Sequence, residues 1–497
     1  MVLTDRPRLA FNIMVTGLLL GVLGDALLRV GPWGLNALVW TSWFVGAAVG
    51  LAVWHHLPLA RSALALAALA LLYAAGLLWR DSETLKLLDL GALSLLLAFA
   101  AWQARGTRWL AGGVLDHAGR LARAGFDALG GYVPLFLGEA LWPHPRADGW
   151  ERQARGVLIG VVLALPPLII FGALLMSADA VFHQFVGRVV DIDLSQLVSH
   201  LIPIAVCSWI TGGCLVGLLF KDRARDTDAA VPQFASLGAL EAGVVVGLLD
   251  LLFLSFIIVQ VRYLFGGASL VEITPGLTYA EYARQGFFQL VTVAALALPL
   301  LLGADWLPGA TDKRWFRALA AVMLLMLLLI LASALHRLRL YQGEYGWTEL
   351  RFYVLAFMSW LAVVLGWFGA TVLPGRRERF TAGAVAAGLV GVLVLNFWNP
   401  DAWIAEKNLE HARAGHRLDA AYVARLSGDA VPVLVRALPQ LSDEDRQTVR
   451  RRLHRWAKAD TRDWRVWSWS RAAARTALAR ALPSVAAQAP APHRKLL

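Results

Sequence analysis

Arginine, tyrosine and carboxylate side chains crowd three short stretches of this 497-residue chain, in combinations able to grip an anion. "VQVRYLFGG" (259–267) followed by "VEITPGLTYAEYARQGFF" (271–288) supplies Arg262, Tyr263, Glu272, Tyr279, Glu281, Tyr282 and Arg284. "ALHRLRLYQGEYGWTELRFY" (334–353) supplies His336, Arg337, Arg339, Tyr341, Glu344, Tyr345, Glu349 and Arg351. "NFWNPDAWIAEKNLE" (396–410) adds Asn396, Asn399, Asp401, Glu406 and Asn408. A guanidinium is planar and permanently charged, so it suits phosphate or carboxylate, with phenols and carboxylates fixing the orientation. The candidate ligand-binding set is Arg262, Tyr282, Arg284, Arg337, Tyr341, Tyr345, Glu349, Arg351, Asn399 and Asp401. The same residues also have structural readings. Thr278 and Glu281 fit a capping box, tyrosines anchor helix ends at an interface, and Arg337/Glu344 or Glu349/Arg351 pair loops together.

Asp25, Asp89 and Glu241 lie near span ends and are expected to reach water, but one further acid stands apart. Asp250 lies in the middle of "GLLDLLFLSFIIVQ", where a charge in hydrocarbon is costly; it must be neutral, partnered or beside a watery cavity. That defines a proton- or cation-coupled transporter as an alternative to a binding protein. A membrane-embedded transferase acting on a lipid-linked substrate, with Glu344, Glu349 or Asp401 as base, is the other alternative. Soluble catalytic signatures are missing: no phosphate-binding glycine loop with lysine, no H-E-x-x-H, no G-x-S-x-G and no Cys/His cluster. Catalytic residues are therefore unassigned, and neither a metal nor a cofactor is expected. Asp179 and His183 in "SADAVFHQF" form neither a triad nor a metal site. "RVWSWSR" (465–471) alternates arginine with tryptophan, which here reads as packing rather than nucleic-acid contact.

These residues are spaced by long apolar runs. The chain is 58% hydrophobic and 16% charged, and a helix of about 20 apolar residues covers roughly 30 Å of hydrocarbon. Eleven spans are expected near 9–30, 33–55, 61–79, 84–104, 155–176, 194–220, 237–264, 279–303, 315–336, 351–373 and 378–397. Pro166-Pro167 and Pro203 should kink the fifth and sixth. G-x-x-x-G spacings at Gly17/Gly21, Gly46/Gly50, Gly156/Gly160 and Gly243/Gly247 predict close helix packing. Net charge is +11, and lysines and arginines concentrate in alternate loops such as 104–155, 221–225, 313–317 and 376–379. That asymmetry places the N-terminus in the cytoplasm and, after an odd number of spans, residues beyond 397 outside the inner membrane. The three polar stretches then share the outward surface.

The fold class is all-α, a polytopic transmembrane bundle of about 11 spans with a small helical extramembrane C-terminal region. Its expected parts are N-terminal transmembrane helices (1–104), a cytoplasmic interfacial amphipathic segment (105–154), a core bundle (155–397), a helical extracytoplasmic region (398–483) and a disordered tail (484–497). Within the second, Leu110, Leu115, Leu121, Phe126 and Leu129 alternate with Arg108, Arg120 and Arg123, as in a helix lying on anionic lipid. In the fourth, Asn399-Pro400-Asp401 and Ser442 with Asp445 are helix starts.

The stretches "LLMSADAVFHQF" (174–185), "VQVRYLFGG", "TYAEYARQGFF", "RLRLYQGEYGWTELRFYVLAF" (337–357), "NPDAWIAEKNLE" and "LSGDAVPVLV" (426–435) carry a resemblance. In this combination the chain resembles the bacterial membrane family called domain of unknown function 4173, related to the family numbered 4153. The resemblance implies a polytopic bacterial protein with an extracytoplasmic C-terminal region, and imports no reaction. The expected function is non-enzymatic: an envelope protein whose outward loops hold an anionic ligand. Its expected partners are the lipid bilayer and an anionic lipid, envelope ligand or membrane protein, with no nucleic acid.

Overall fold

In hydrocarbon no water satisfies a backbone amide, so each apolar span must close its own hydrogen bonds as a helix. The computed structural model describes residues 6–104, 114–132, 194–219, 239–265, 287–306, 314–459 and 463–481, and every regular element among them is helical. The long helices are α1 (Arg6–Leu28), α2 (Leu35–Trp54), α3 (Arg61–Trp79), α4 (Glu83–Ala104), α5 (Val114–Gly130), α6 (Leu194–Leu219), α7 (Ala239–Phe265), α8 (Phe287–Trp306), α9 (Arg314–Tyr345), α10 (Glu349–Thr371) and α11 (Glu378–Trp398). Shorter ones follow: α12 (Pro400–Arg413), α13 (Ala420–Val423), α14 (Val431–Ala437), α15 (Asp443–Ala459) and α16 (Trp469–Ala481).

Eight of the described helices have the length and apolarity to cross a bilayer: α1 to α4, α6 and α9 to α11. Shorter apolar stretches, Gly243–Val259 and Leu290–Gly303, lie in α7 and α8. The expected span at 155–176 falls outside the described residues, as do Pro166-Pro167, Gly156/Gly160, Asp179/His183, the Thr278/Glu281 box and the tail from 484.

The chain divides into two compact units, and the division runs through α3 and α4. In the first, α1 packs along α6, with α2 against both. Small residues allow it: a Cβ on Gly21 would fall 1.9 Å from Ser208 Oγ, and one on Gly17 would fall 3.3 Å from the Gly212 Cα. By contrast, Gly46, Gly50 and Gly243 meet nothing within 4 Å, and Gly247 only Leu319 at 4.0 Å, so those spacings mark no close approach among the described residues. Tyr132, following α5, covers Gly212 and donates to the Met14 carbonyl at 3.3 Å. On α5 itself Phe126 and Leu129 stay exposed.

In the second unit α9 is the central helix, packed by α7, α8 and α10, with α11 against α10. Met323, Leu327, Ile330, Leu365 and Phe368 form the middle of its core. At 32 residues α9 is about 48 Å long, so it outreaches a hydrocarbon layer of roughly 30 Å. Its last turns, Arg337–Tyr345, therefore run on toward a helical cap, α12 to α16, with its own core of Ile404, Val431, Leu434, Leu453 and Leu478. The cap begins at the expected signal. Asn399 adopts φ 57°, its side chain accepts from the Ala402 amide, and Pro400 opens α12. Ser442 and Asp445 likewise bond reciprocally at the start of α15.

Candidate functional site

Two loops and the cap are sewn together by backbone amides and carboxylates. Asp429 accepts from the amides of Asp81 (2.7 Å) and Ser82 (3.2 Å) and lies 3.5 Å from the Arg80 guanidinium. In return Asp81 accepts from the Gly428 amide (3.2 Å), Arg471 Nε (2.8 Å) and Lys86 Nζ (3.0 Å). Arg80 also donates to the Asn396 carbonyl at 2.7 Å, and Ser82 bonds the Tyr353 hydroxyl at 3.3 Å. Each buried charge thus meets several donors, as desolvation demands. The Arg-Trp stretch at 465–471 serves this clasp through Arg471; Trp469 packs edge-on to Trp467. Asp81, Asp429, Lys86 and Arg471 carry no motif in the sequence. The resemblance stretch at 426–435 contains Asp429 and the Arg-Trp stretch at 465–471 contains Arg471, but neither pointed to this pairing.

The turn between α9 and α10 is held just as closely. Gly346 has φ +69°, and Asn408 of α12 accepts from the Trp347 amide (2.9 Å) while donating to its carbonyl (2.8 Å). Arg351 donates to the carbonyls of Tyr345 (3.1 Å) and Gly346 (2.6 Å) and lies 4.2 Å over the Tyr341 ring. The Glu349 amide donates to Tyr422 Oη at 2.7 Å, and burial pushes that phenol up to about 12. Asp401 is 1% exposed and accepts from the Ser427 amide at 3.2 Å. Burial lifts its carboxyl to about 7; the Ser427 bonds pull it down, and the charges of Glu349 and Asp429 add to the rise.

Beside this turn runs a groove of about 1190 Å³ between α10 and α11, closed at one end by α12 and the end of α9. That exceeds the roughly 300–1,000 Å³ of a drug-sized site. Its walls are apolar: Leu355, Trp360 and Val363 from α10, and Val390, Val394 and Leu395 from α11. Its mouth is polar, with Arg339, Gln342, Lys407, Glu410 and His411. Lys407 and Glu410 pair at 2.6 Å, whereas Arg339 is exposed and makes no ion pair among the described residues. Two buried donors on the lining, Gln342 Nε2 and Trp360 Nε1, find no acceptor among the described residues. A dry N–H without an acceptor is costly, so a ligand oxygen there would be favoured.

The expected binding residues are distributed as follows. Tyr341, Tyr345, Glu349, Arg351, Asn399 and Asp401 all belong to the turn and cap junction, within one unit. Arg337 is 7% exposed on the last part of α9. None of these seven lines the groove, although their neighbours Arg339 and Gln342 do. The side chains of Arg262, Tyr282 and Arg284 lie outside the described residues, as does that of Glu241. Asp250 is 7% exposed on α7, and neither carboxylate oxygen has a partner among the described residues; it does not line the groove. Asp25 and Asp89, read from the sequence as acids near span ends that reach water, are instead buried. Asp89 is 0% exposed and accepts from Asn396 Nδ2 at 2.7 Å, and Asp25 meets His200 Nδ1 at 2.5 Å. No group of three or more His, Cys, Asp or Glu side chains able to hold a metal ion occurs among the described residues.

Apolar helices of bilayer length, strandless among the described residues and followed by a compact helical cap, define an all-α polytopic membrane protein. Residues 63–437 match the family model described as domain of unknown function (DUF4153), and the chain belongs to that family. The resemblance had pointed first to the related number 4173; the match is to 4153. No curated protein and no solved structure matches the chain.

Proposed function

We propose that this protein binds an anionic amphiphile, with its hydrocarbon along the α10–α11 groove and its head group at Arg339, Gln342 and Lys407. The observation that carries the reading is the pairing of apolar walls with buried donors that lack acceptors, Gln342 Nε2 and Trp360 Nε1, near an unpaired guanidinium. A lipid supplies what each part lacks: methylenes for the walls, at about 0.8 kcal/mol per buried CH₂, and oxygens for the donors. Arg351, Tyr341 and Asn408 act one step back. They hold the turn that carries Trp347 and Gln342 to the groove. The excess of lysine and arginine in alternate loops supports an inner-membrane orientation with the N-terminus in the cytoplasm and the cap outside.

The test uses lipid mass spectrometry on full-length protein purified in mild detergent. Gly391 lines the groove and a Cβ there meets nothing within 4 Å, so Gly391→Phe fills the groove without straining its walls. We expect Gly391→Phe to cut copurifying anionic lipid about tenfold, equivalent to about 1.4 kcal/mol. Arg339→Gln combined with Gln342→Leu should spare neutral lipid and lose anionic lipid. Unchanged lipid content in both variants, with unfolding temperatures intact, would refute the reading.

A further inference from the structure

We propose that the cap carries a second, separate site that binds a phosphate group. Three arginines, Arg425, Arg452 and Arg455, line a recess of about 120 Å³ together with Thr448, Ala421 and Ala424, of which Ala424 is buried. The sequence explains the arrangement. Thr448, Arg452 and Arg455 fall at i, i+4 and i+7 along α15, so they form one stripe of that helix. That stripe faces α13, which packs against α15 and ends at Val423, and Arg425 follows in the next turn. Alanines at 421 and 424 leave the room that the long side chains enclose.

Like charges brought together repel, and a folded protein ordinarily places an acid among them. No acid lines this recess. Of the acids near the two helices, Asp419 caps α13 through the Tyr422 amide, Asp443 pairs with Arg446, and Asp445 bonds Ser442, while Glu444, one turn before Thr448, is exposed and outside the recess lining. The guanidiniums of Arg425, Arg452 and Arg455 make no ion pair among the described residues. Three forked donors and a hydroxyl around a space of this size match a tetrahedral oxyanion, for which guanidinium is the preferred side chain. Phosphate, free or on a lipid head group, has that chemistry. The site stands apart from the groove and depends on different residues.

Titration calorimetry on full-length protein in detergent, with inorganic phosphate and pyrophosphate as probes, tests it. We expect saturable binding that Arg452→Gln with Arg455→Gln weakens about tenfold or more. Arg450→Gln with Arg451→Gln removes the same charge from the same helix outside the recess, and should bind as the unmodified chain does. Arg425→Gln, on a different element, gives an independent loss should the double variant misfold. Flotation with phosphatidylcholine vesicles, with and without phosphatidic acid, separates the sources. Vesicle binding that needs phosphatidic acid and resists free phosphate assigns the recess to a lipid head group. Displacement by free phosphate assigns it to a soluble anion. Absence of binding to every probe, or equal weakening by the Arg450/Arg451 control, would overturn the proposal.

Discussion

Asp401 lies 1% exposed between the Ser427 amide and the carboxylates of Glu349 and Asp429, with its pKa lifted to about 7. In the unfolded chain the same group titrates near about 3.9. Between those values the folded state binds more proton, so stability is full below about pH 4 and declines as pH rises toward 7, by up to about 1.4 kcal/mol per pH unit. Asp401→Asn keeps an acceptor for Ser427 and removes the titration. We expect thermal unfolding measured at pH 5 and pH 8 to show a smaller decline with pH in the variant than in the unmodified protein; equal slopes would refute the assignment. Residue type alone does not disclose such a role. Arg351 has the chemistry to grip a ligand, yet its guanidinium is taken up by two carbonyls and a tyrosine ring. Arg339, two residues beyond Arg337 on the same helix, faces the groove mouth with no such partner.

At the scale of the element, the spacing of small residues is a permission that only some helices use. Gly17, Gly21 and Gly24 of α1 admit α6 so closely that a Cβ on Gly21 would sit 2.6 Å from the Ile204 carbonyl. Gly46 and Gly50 share the spacing on α2 and meet nothing. Gly21→Leu should therefore cost about 1–3 kcal/mol through overpacking, read as a lower unfolding temperature in detergent, while Gly50→Leu leaves it within error. Similar losses for the two would mean that α1 and α6 do not pack as described. The length of α9 has a consequence of the same kind. A helix of 32 residues leaves the hydrocarbon before it ends, and so delivers Arg339 and Gln342 to the groove mouth rather than to its apolar wall.

At the scale of the whole molecule, the reciprocal exchange between Asp81 and Asp429 ties the cap to the α3–α4 connection across some 350 residues of chain. Asp429→Ala leaves the amides of Asp81 and Ser82 without their acceptor and removes the ion pair of Arg80, which keeps the Asn396 carbonyl, at about 3 kcal/mol or more for a broken buried charge pair. Amide exchange across 398–481 should accelerate in that variant while the core of α9 stays protected; unaltered cap exchange would show that the clasp bears no load. Helicity, the eight long apolar helices, the caps at Asn399 and Ser442 and the neighbourhood of the family, though not its number, were legible in the chain itself. Apolar run length and capping residues act within a few turns, so local spacing is enough to reveal them. Which loops meet was not legible. Hydrophobic burial has no direction, and nothing near Asp81 or Asp89 announces that their partners are Gly428, Arg471 and Asn396. The groove has the same origin: its walls read as ordinary span residues, and only the packing of α10, α11 and α12 turns them inward around buried donors. Local chemistry specified the helices, and the long-range choice of partners, made by the packed bundle, decided which polar groups are spent on the fold and which are left without a partner among the described residues.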